Sequence, residues 1–376
     1  MAEPIRVLHV VTHMNRGGLE TMIMNYYRHI DRTKIQFDFL THRDEKKDYD
    51  DEIQKLGGKI YHLPPLNPLD KKGYLKKLDD FFREHPEYKV VHSHLDCMSA
   101  YPLRTAKKYG VPVRIAHSHN TSQERNLKYL IKLYSRSLIP KYATDLFACG
   151  EEAGKWMFKN RSFVVMRNAI DAQKFVYNSE VAKQKREELG IEDKFVFGHV
   201  GRFNLQKNHE FLIEIFNEVC KRNENAVLLL VGTGELEEKI HEKVRNLGLN
   251  EKVMFLGVRE DIPELMQAMD VFVFPSLFEG LPVTLVEAQA AGLPCVVSGT
   301  ITKEIDIIGK MRFLDINGTT FEWAKEIEKK RERKKEACHM IEEKGFDIKK
   351  NAEWFQKFIL QKSGNSLESE KYRGEI

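Results

Sequence analysis

A chain of 376 residues with 42% hydrophobic and 31% charged side chains holds apolar material for two α/β cores of roughly 150–200 residues each and too much charge for a membrane-embedded protein. Its formal net charge of +4 is small for the length, so no nucleic-acid partner is expected. The five cysteines, at positions 97, 149, 220, 295 and 338, are scattered and form no C-x-x-C pair, which predicts reduced thiols in a cytoplasmic protein rather than a disulfide or zinc framework.

In chain order, strand-like runs recur at Ile5–Val11, Phe37–Leu40, Lys59–Leu63, Val90–Ser93, Val113–Ala116, Asp145–Ala148 and Phe163–Arg167, with helical periods between most of them. That alternation means βαβ units and a parallel, Rossmann-like sheet covered on both faces. No leader precedes the first run, and no window approaches about 18 uninterrupted apolar residues, so neither export nor a spanning helix is expected. Gly17 and Gly18 follow the first strand, where adjacent glycines let backbone approach a ligand. The loop is not G-x-G-x-x-G, which argues against a dinucleotide cofactor. Two His-Ser-His triplets, His92–His94 and His117–His119, end predicted strands, and alternation puts both histidines of each on one face. Four such histidines with an acid are a ligand set for zinc or iron. Residues 120–143 carry Lys128, Lys132, Arg136 and Lys141 among Leu127, Leu130, Ile131, Leu133 and Leu138. This is either a basic amphipathic helix for an anionic lipid surface or an ordinary surface helix.

A polar stretch from Asn168 to Phe175 and a charged helix at 180–189 connect to a second series of strands. These are Phe195–Val200, Ala226–Val231, Val253–Leu256, Val271–Pro275, Cys295–Ser298 and Met311–Leu314. The expected division is residues 1–175, a second domain over 176–347, a helix at 348–361 whose apolar stripe packs back on the first domain, and a disordered tail over 362–376. Arg202 and Lys207 flank a strand-to-helix loop, an anion site or a solvated basic loop. Gly232-Thr-Gly234 reads as a tight turn rather than a ligand loop. Glu279 lies in the loop after Val271–Pro275 and Glu287 inside the following helix, with Pro282 at its first position and Gly292 at its C-cap. On spacing alone the two acids either serve a ligand or merely favour the N-terminal half of a helix. The mixed-charge run Lys325–Glu336 reads as a solvated helix face.

Residues 278–298, FEGLPVTLVEAQAAGLPCVVS, resemble the E-x7-E signature of the family 4 glycosyltransferases, and Gly201–Lys207 extends the likeness, which runs from Arg6 to about Ser298. The details resemble members from bacterial exopolysaccharide and capsule clusters. The resemblance implies the GT-B fold, two Rossmann-like domains facing across a cleft, and a retaining transferase acting on a nucleotide-sugar donor, with UDP the favoured carrier by family frequency. It gives donor-binding roles to Gly17, Gly18, Arg202, Lys207, Glu279, Leu281, Pro282, Val283, Thr284 and Glu287. In it Glu279 meets the donor sugar, Glu287 the nucleotide ribose, and His117, with His119 as alternate, lies beside the sugar near the reaction centre. His92 and His94 are then structural.

The acceptor implied is a glycan, lipid-linked if residues 120–143 rest on a membrane. No D-x-D motif lies near the diphosphate site, so neither metal nor cofactor is expected. No P-loop or nucleophile elbow appears. The rivals are a sugar-nucleotide 2-epimerase on the same scaffold, a transferase using a small soluble acceptor, and a glycan-binding protein without turnover.

Overall fold

The computed structural model describes residues 3–66, 71–121, 129–329 and 332–364. The readings made of Leu127, Lys128 and most of the tail lie outside these. Two compact units result: Met1–Arg167 with Ile348–Ile376, and Asn168–Asp347.

The first unit is a seven-stranded sheet of β1 (Ile5–Val10), β2 (Ile35–Thr41), β3 (Ile60–His62), β4 (Val90–Ser93), β5 (Val113–Ser118), β6 (Asp145–Ala148) and β7 (Val164–Val165). Their spatial order is β3-β2-β1-β4-β5-β6-β7, and all pairings are parallel. Val7, Leu8, Val10, Phe37, Phe39, Val90 and Val91 are fully buried, as continuous apolar strands must be when helices cover both faces. Helix Ile348–Lys362 buries Ala352, Phe355, Phe358 and Ile359. Its Phe355 ring lies 6.0 Å from Tyr26, 6.1 Å from Phe37 and 5.7 Å from His92. Gln356 Oε1 accepts from Asp31 N at 2.9 Å, and Lys362 Nζ lies 2.8 Å from Asp145. The last described helix is therefore part of the first unit.

The second unit holds β8 (Phe195–Val200), β9 (Ala226–Val231), β10 (Val253–Phe255), β11 (Val271–Phe274), β12 (Cys295–Ser298) and β13 (Met311–Leu314). They order β10-β9-β8-β11-β12-β13, again parallel throughout. Phe197, Leu212, Phe216, Leu228 and Trp323 sit in its core, and the indole N–H of Trp323 is satisfied by Asp315 O at 3.0 Å.

Two expectations are corrected. The boundary falls after Arg167, not Phe175, because residues 168–175 are tied into the second unit. Asn168 donates to Leu281 O, Ile170 N donates to Phe346 O at 3.0 Å, and Ala172 and Phe175 are buried. Nor is Lys325–Glu336 one solvated helix. Helix Thr320–Ile327 ends before it does, and beyond it, where every residue from Glu328 to Glu336 is charged, Arg333 enters the unit. Its guanidinium donates to Ala291 O at 2.8 Å, Met266 O at 2.9 Å and Gln267 O at 3.0 Å. These carbonyls close helices Ile262–Ala268 and Val283–Ala290, where unpaired oxygens attract a cation. Burial pushes Arg333 down to about 10, still charged at neutral pH.

Phe355→Ala is expected to lower the unfolding free energy of the first unit by about 3–5 kcal/mol in urea titrations, the usual cost of emptying a buried aromatic site. Lys350→Ala on the exposed side of the same helix should change it by less than about 0.5 kcal/mol.

Candidate active site

Each sheet reverses its strand order once, between β1 and β4 in the first unit and between β8 and β11 in the second. Loops leaving the carboxyl ends of strands at such a reversal form the usual ligand crevice of a doubly wound sheet. The expected site residues cluster at these two places.

In the second unit the loop after β8 is stitched to the loop after β11. Leu277 N donates to Gln206 O at 2.8 Å, Gln206 Nε2 to Phe278 O at 2.8 Å, and Asn208 Nδ2 to Pro275 O at 3.3 Å. Between the loops Lys207 Nζ lies 2.7 Å from Glu279 Oε1 and 4.5 Å from the Phe274 ring centre. Both side chains are largely buried. Gly201 makes room for this lysine, since a Cβ there would fall 2.9 Å from His199 Nε2 and 3.3 Å from Lys207 Cδ. Gly232, at φ +129°, and Gly234 brace the same loop: their missing Cβ atoms would lie 2.3 Å from Gly201 O and 2.4 Å from Phe203 O. Arg202 stands apart, half-exposed and 3.1 Å from Glu235.

Pro282 is not the first helical residue. Its ψ of 124° is extended, so it precedes helix Val283–Ala290 as the N-cap, and no side chain caps that end. Leu281 and Val283 are buried beside it. Gly292 takes φ +64° just past the helix end, as a glycine there should. Glu287 is buried within the helix, and its carboxylate makes no hydrogen bond among the described residues. Burial pushes it up to about 7. Thr284 Oγ1, Ser276 Oγ and Asn168 Oδ1 are also buried without a hydrogen-bond partner among the described residues. Interior polar atoms are normally paired, so this group retains capacity for a polar ligand. Nothing in the sequence singled out Gln206, Ser276 or Asn168, because their roles depend on loops that meet only in three dimensions.

In the first unit Gly17 is the N-cap of helix Gly18–His29. A Cβ on Gly17 would fall 2.4 Å from Glu20 Oε2, whereas one on Gly18 would meet nothing within 4 Å. The glycine pair thus has one internal steric reason, not two. Beside it five imidazoles gather from β1, β4, β5 and their ends. His9 Nδ1 lies 3.0 Å from His94 Nε2, His94 Nδ1 lies 2.9 Å from His119 Nε2, and His92 Nε2 lies 3.1 Å from His117 Nδ1. Burial pushes His9 and His119 down to about 3 and holds the other three well below the ordinary range, so all are neutral near pH 7. His9/His92/His94 and His94/His117/His119 each bring ligand atoms within 4.8 Å of one another, the donor type zinc takes. Both nitrogens of His94 are already engaged by neighbouring rings, so either trio would gain an ion only by breaking those hydrogen bonds.

His117 and His119 differ in depth. His117 is 1% exposed, lies inside β5, and has its Nδ1 tied to His92. His119 is the first residue beyond Ser118 at the strand end and is partly exposed.

The Glu287 environment has a measurable consequence. Its carboxyl holds a proton up to about pH 7 in the folded chain, against an ordinary value of 4.5. The folded state therefore binds a proton that the unfolded state releases, and the associated stability is complete below pH 4.5 and lost as pH rises through about 7. Glu287→Gln should match the parent near pH 5 and exceed it by on the order of 3 kcal/mol above pH 8, in urea titrations at a series of pH values. Parallel pH curves for the two proteins would mean that water reaches this carboxylate.

Residues 180–345 match the family described as Glycosyl transferases group 1, and residues 16–190 match Glycosyltransferase Family 4. The chain is 39% identical over 363 residues, 92% of its length and 94% of the other, to the putative glycosyltransferase EpsF of Bacillus subtilis. It is 31% identical over 224 residues, 56% of its length and 58% of the other, to the UDP-Gal:alpha-D-GlcNAc-diphosphoundecaprenol alpha-1,3-galactosyltransferase of Escherichia coli. Among solved structures, HepE of Anabaena in complex with UDP and glucose superposes with a TM-score of 0.72 at 18% identity, over 98% of this chain and all of that one. With these likenesses spanning both sheets and the E-x7-E segment, the chain belongs to the family 4 glycosyltransferases and has their GT-B fold.

Proposed function

We propose that this glycosyltransferase moves a sugar, with retention, from a UDP-sugar to a lipid-linked glycan during assembly of an exopolysaccharide, capsule or related surface polysaccharide. The observation that carries the reading is the Lys207–Glu279 pair at the strand-order reversal of the second sheet, with the unpartnered polar atoms of Ser276 and Thr284 and the buried Glu287 on the same loop-and-helix segment as Glu279. UDP and glucose in HepE, and the UDP-linked donor and diphosphoundecaprenol acceptor named for the Escherichia coli relative, support the choice of carrier and acceptor.

In this reading Lys207, Arg202 and the amides that open helix Val283–Ala290 stabilise charge growing on the departing diphosphate, a preorganised electrostatic contribution. Leu281 and Pro282 shape the turn before those amides. Glu279 orients the donor sugar and Glu287 takes the ribose diol, neither as a nucleophile. Gly17 and Gly18 bring backbone close to donor and acceptor. The acceptor hydroxyl attacks the anomeric carbon from the face the diphosphate leaves, and a leaving phosphate oxygen takes its proton. No metal is assigned a role. Deep burial of His117 and partial exposure of His119 support giving the sugar-facing position to His119.

No helix among the described residues is long and apolar enough to cross a membrane. Helix Tyr129–Tyr142 exposes Leu130 by 77% and Tyr134 by 62%, an i, i+4 pair on one face, with Lys132 between them and exposed Lys141 beyond. Exposed apolar side chains with a cation on the same face suit an anionic lipid surface, which is where a lipid-linked acceptor would be met.

Glu279→Gln is expected to reduce sugar transfer by at least about 100-fold, with UDP affinity, measured calorimetrically, within a few-fold of the parent; full transfer would remove Glu279 from the site. Lys207→Ala should weaken donor binding far more than acceptor binding, while equal losses would indicate a general disturbance of the loops. A Leu130→Glu, Tyr134→Glu double variant should lose co-sedimentation with anionic phospholipid vesicles yet release UDP from donor at the parent rate. Unchanged co-sedimentation would refute the membrane contact.

A further inference from the structure

The imidazoles of the first unit are neutral, so each ring carries one hydrogen, and each ring-to-ring contact needs one N–H and one lone pair. For the line His9–His94–His119 only two assignments satisfy both contacts. In one, hydrogens point inward: His119 Nε2 donates to His94 and His94 Nε2 donates to His9 Nδ1. His9 must then carry its hydrogen on Nε2, which is buried without a partner among the described residues. In the other, hydrogens point outward. His9 Nδ1 donates to His94 Nε2, His94 Nδ1 donates to His119 Nε2, and the atom left over inside is a bare lone pair on His9. Orphaned buried N–H groups are rarer than under-used acceptors, so the outward assignment is the stable one. It leaves the hydrogen of His119 on Nδ1, the nitrogen that no described residue engages.

A separate clamp holds the same residue. Asp96 Oδ1 accepts from His119 N at 2.9 Å and Asp96 Oδ2 accepts from Asn120 Nδ2 at 2.7 Å. Asp96 does so from a left-handed backbone, φ +43°, one of three such non-glycine residues among the described residues, and strain of this kind persists where surrounding structure enforces it. Backbone and ring of His119 are thus fixed independently, by Asp96 and by His94.

We infer that His94 is a positioning residue whose Nδ1–H donates to His119 Nε2, so that His119 meets its ligand as an Nδ1–H donor and selects a sugar oxygen bearing a free lone pair. This deepens the proposed function and rests on its placement of His119 beside the donor sugar. The buried His9 end gives the array its direction, and the His92–His117 pair, with an unpartnered nitrogen at each outer end, has none.

The tautomer is read directly from long-range proton–nitrogen correlation spectra of the full-length protein labelled with 15N-histidine. His119 is expected with its hydrogen on Nδ1, and a hydrogen on Nε2 overturns the inference whatever the turnover data show. Kinetics use UDP release from whichever of UDP-glucose, UDP-galactose and UDP-N-acetylglucosamine is turned over fastest. His94→Leu should lower kcat about 10- to 100-fold with donor KM within about threefold, His94→Gln, which keeps an N–H donor, should recover to within about tenfold of the parent, and adding His119→Ala to His94→Leu should cost little beyond His119→Ala alone. Parental turnover in His94→Leu, or equal losses in the Leu and Gln variants with equally lowered unfolding midpoints, overturns the positioning role. Full activity in His119→Ala sinks instead the placement of His119 at the sugar, an outcome the spectra alone would not produce.

Discussion

The Lys207–Glu279 ion pair is the contact on which the geometry of the second sheet's ligand loops depends. Removing two charges from water costs several kcal/mol each, and mutual attraction offsets this only when the partners are held in good geometry. Here the holding is done by Gln206 and Asn208, which bond the first loop to backbone of the second, by the Phe274 ring under the ammonium, and by Gly201, whose bare Cα leaves a channel for the lysine stem. On the proposed function a diphosphate would compete with Glu279 for Lys207, and the carboxylate so released would be free to accept from sugar hydroxyls. One contact would then couple diphosphate binding to sugar orientation.

The first sheet uses opposite means at the equivalent place. Where the second presents a cation and two carboxylates, the first presents five imidazoles kept neutral by burial. Neutral rings act through hydrogen-bond direction rather than charge, and direction is retained where no counter-charge is available. The two reversal points therefore differ in chemistry, with charge at one and oriented hydrogen-bond donors and acceptors at the other.

Much of this was legible in advance because apolar strands in a two-sided sheet leave a simple mark. All thirteen strand-like runs appear as strands, with ends shifted by a few residues, and Lys207 and Glu279 meet across their two loops. What failed was decided by tertiary contacts with no local signature. Asn168–Phe175 looks like a linker because it is polar, yet Asn168 and Ile170 bond into the second unit. Arg333 looks like one more charge in a mixed run, yet the carbonyl ends of two distant helices draw it inside. Pro282 fits a first helical position and an N-cap equally well until its ψ is known.

The choice between the two histidines is of a different kind, and a rule for it follows. Alternation along a strand fixes which face a residue occupies, so it places His117 and His119 together and cannot choose between them. The choice depends on depth along the strand. In a parallel sheet ligands approach from beyond the carboxyl ends, so of two residues on one face the later stands at the mouth and the earlier lies in the sheet. β5 ends at Ser118 and β4 at Ser93, which leaves His117 and His92 inside and carries His119 and His94 past the rim. The inner pair then bond to each other, whereas His94 joins His119 to His9 beneath. A His-Ser-His triplet closing a parallel strand is thus an anchor followed by a reaching residue, and two such triplets on adjacent strands make the reaching residue of one the support for the reaching residue of the other.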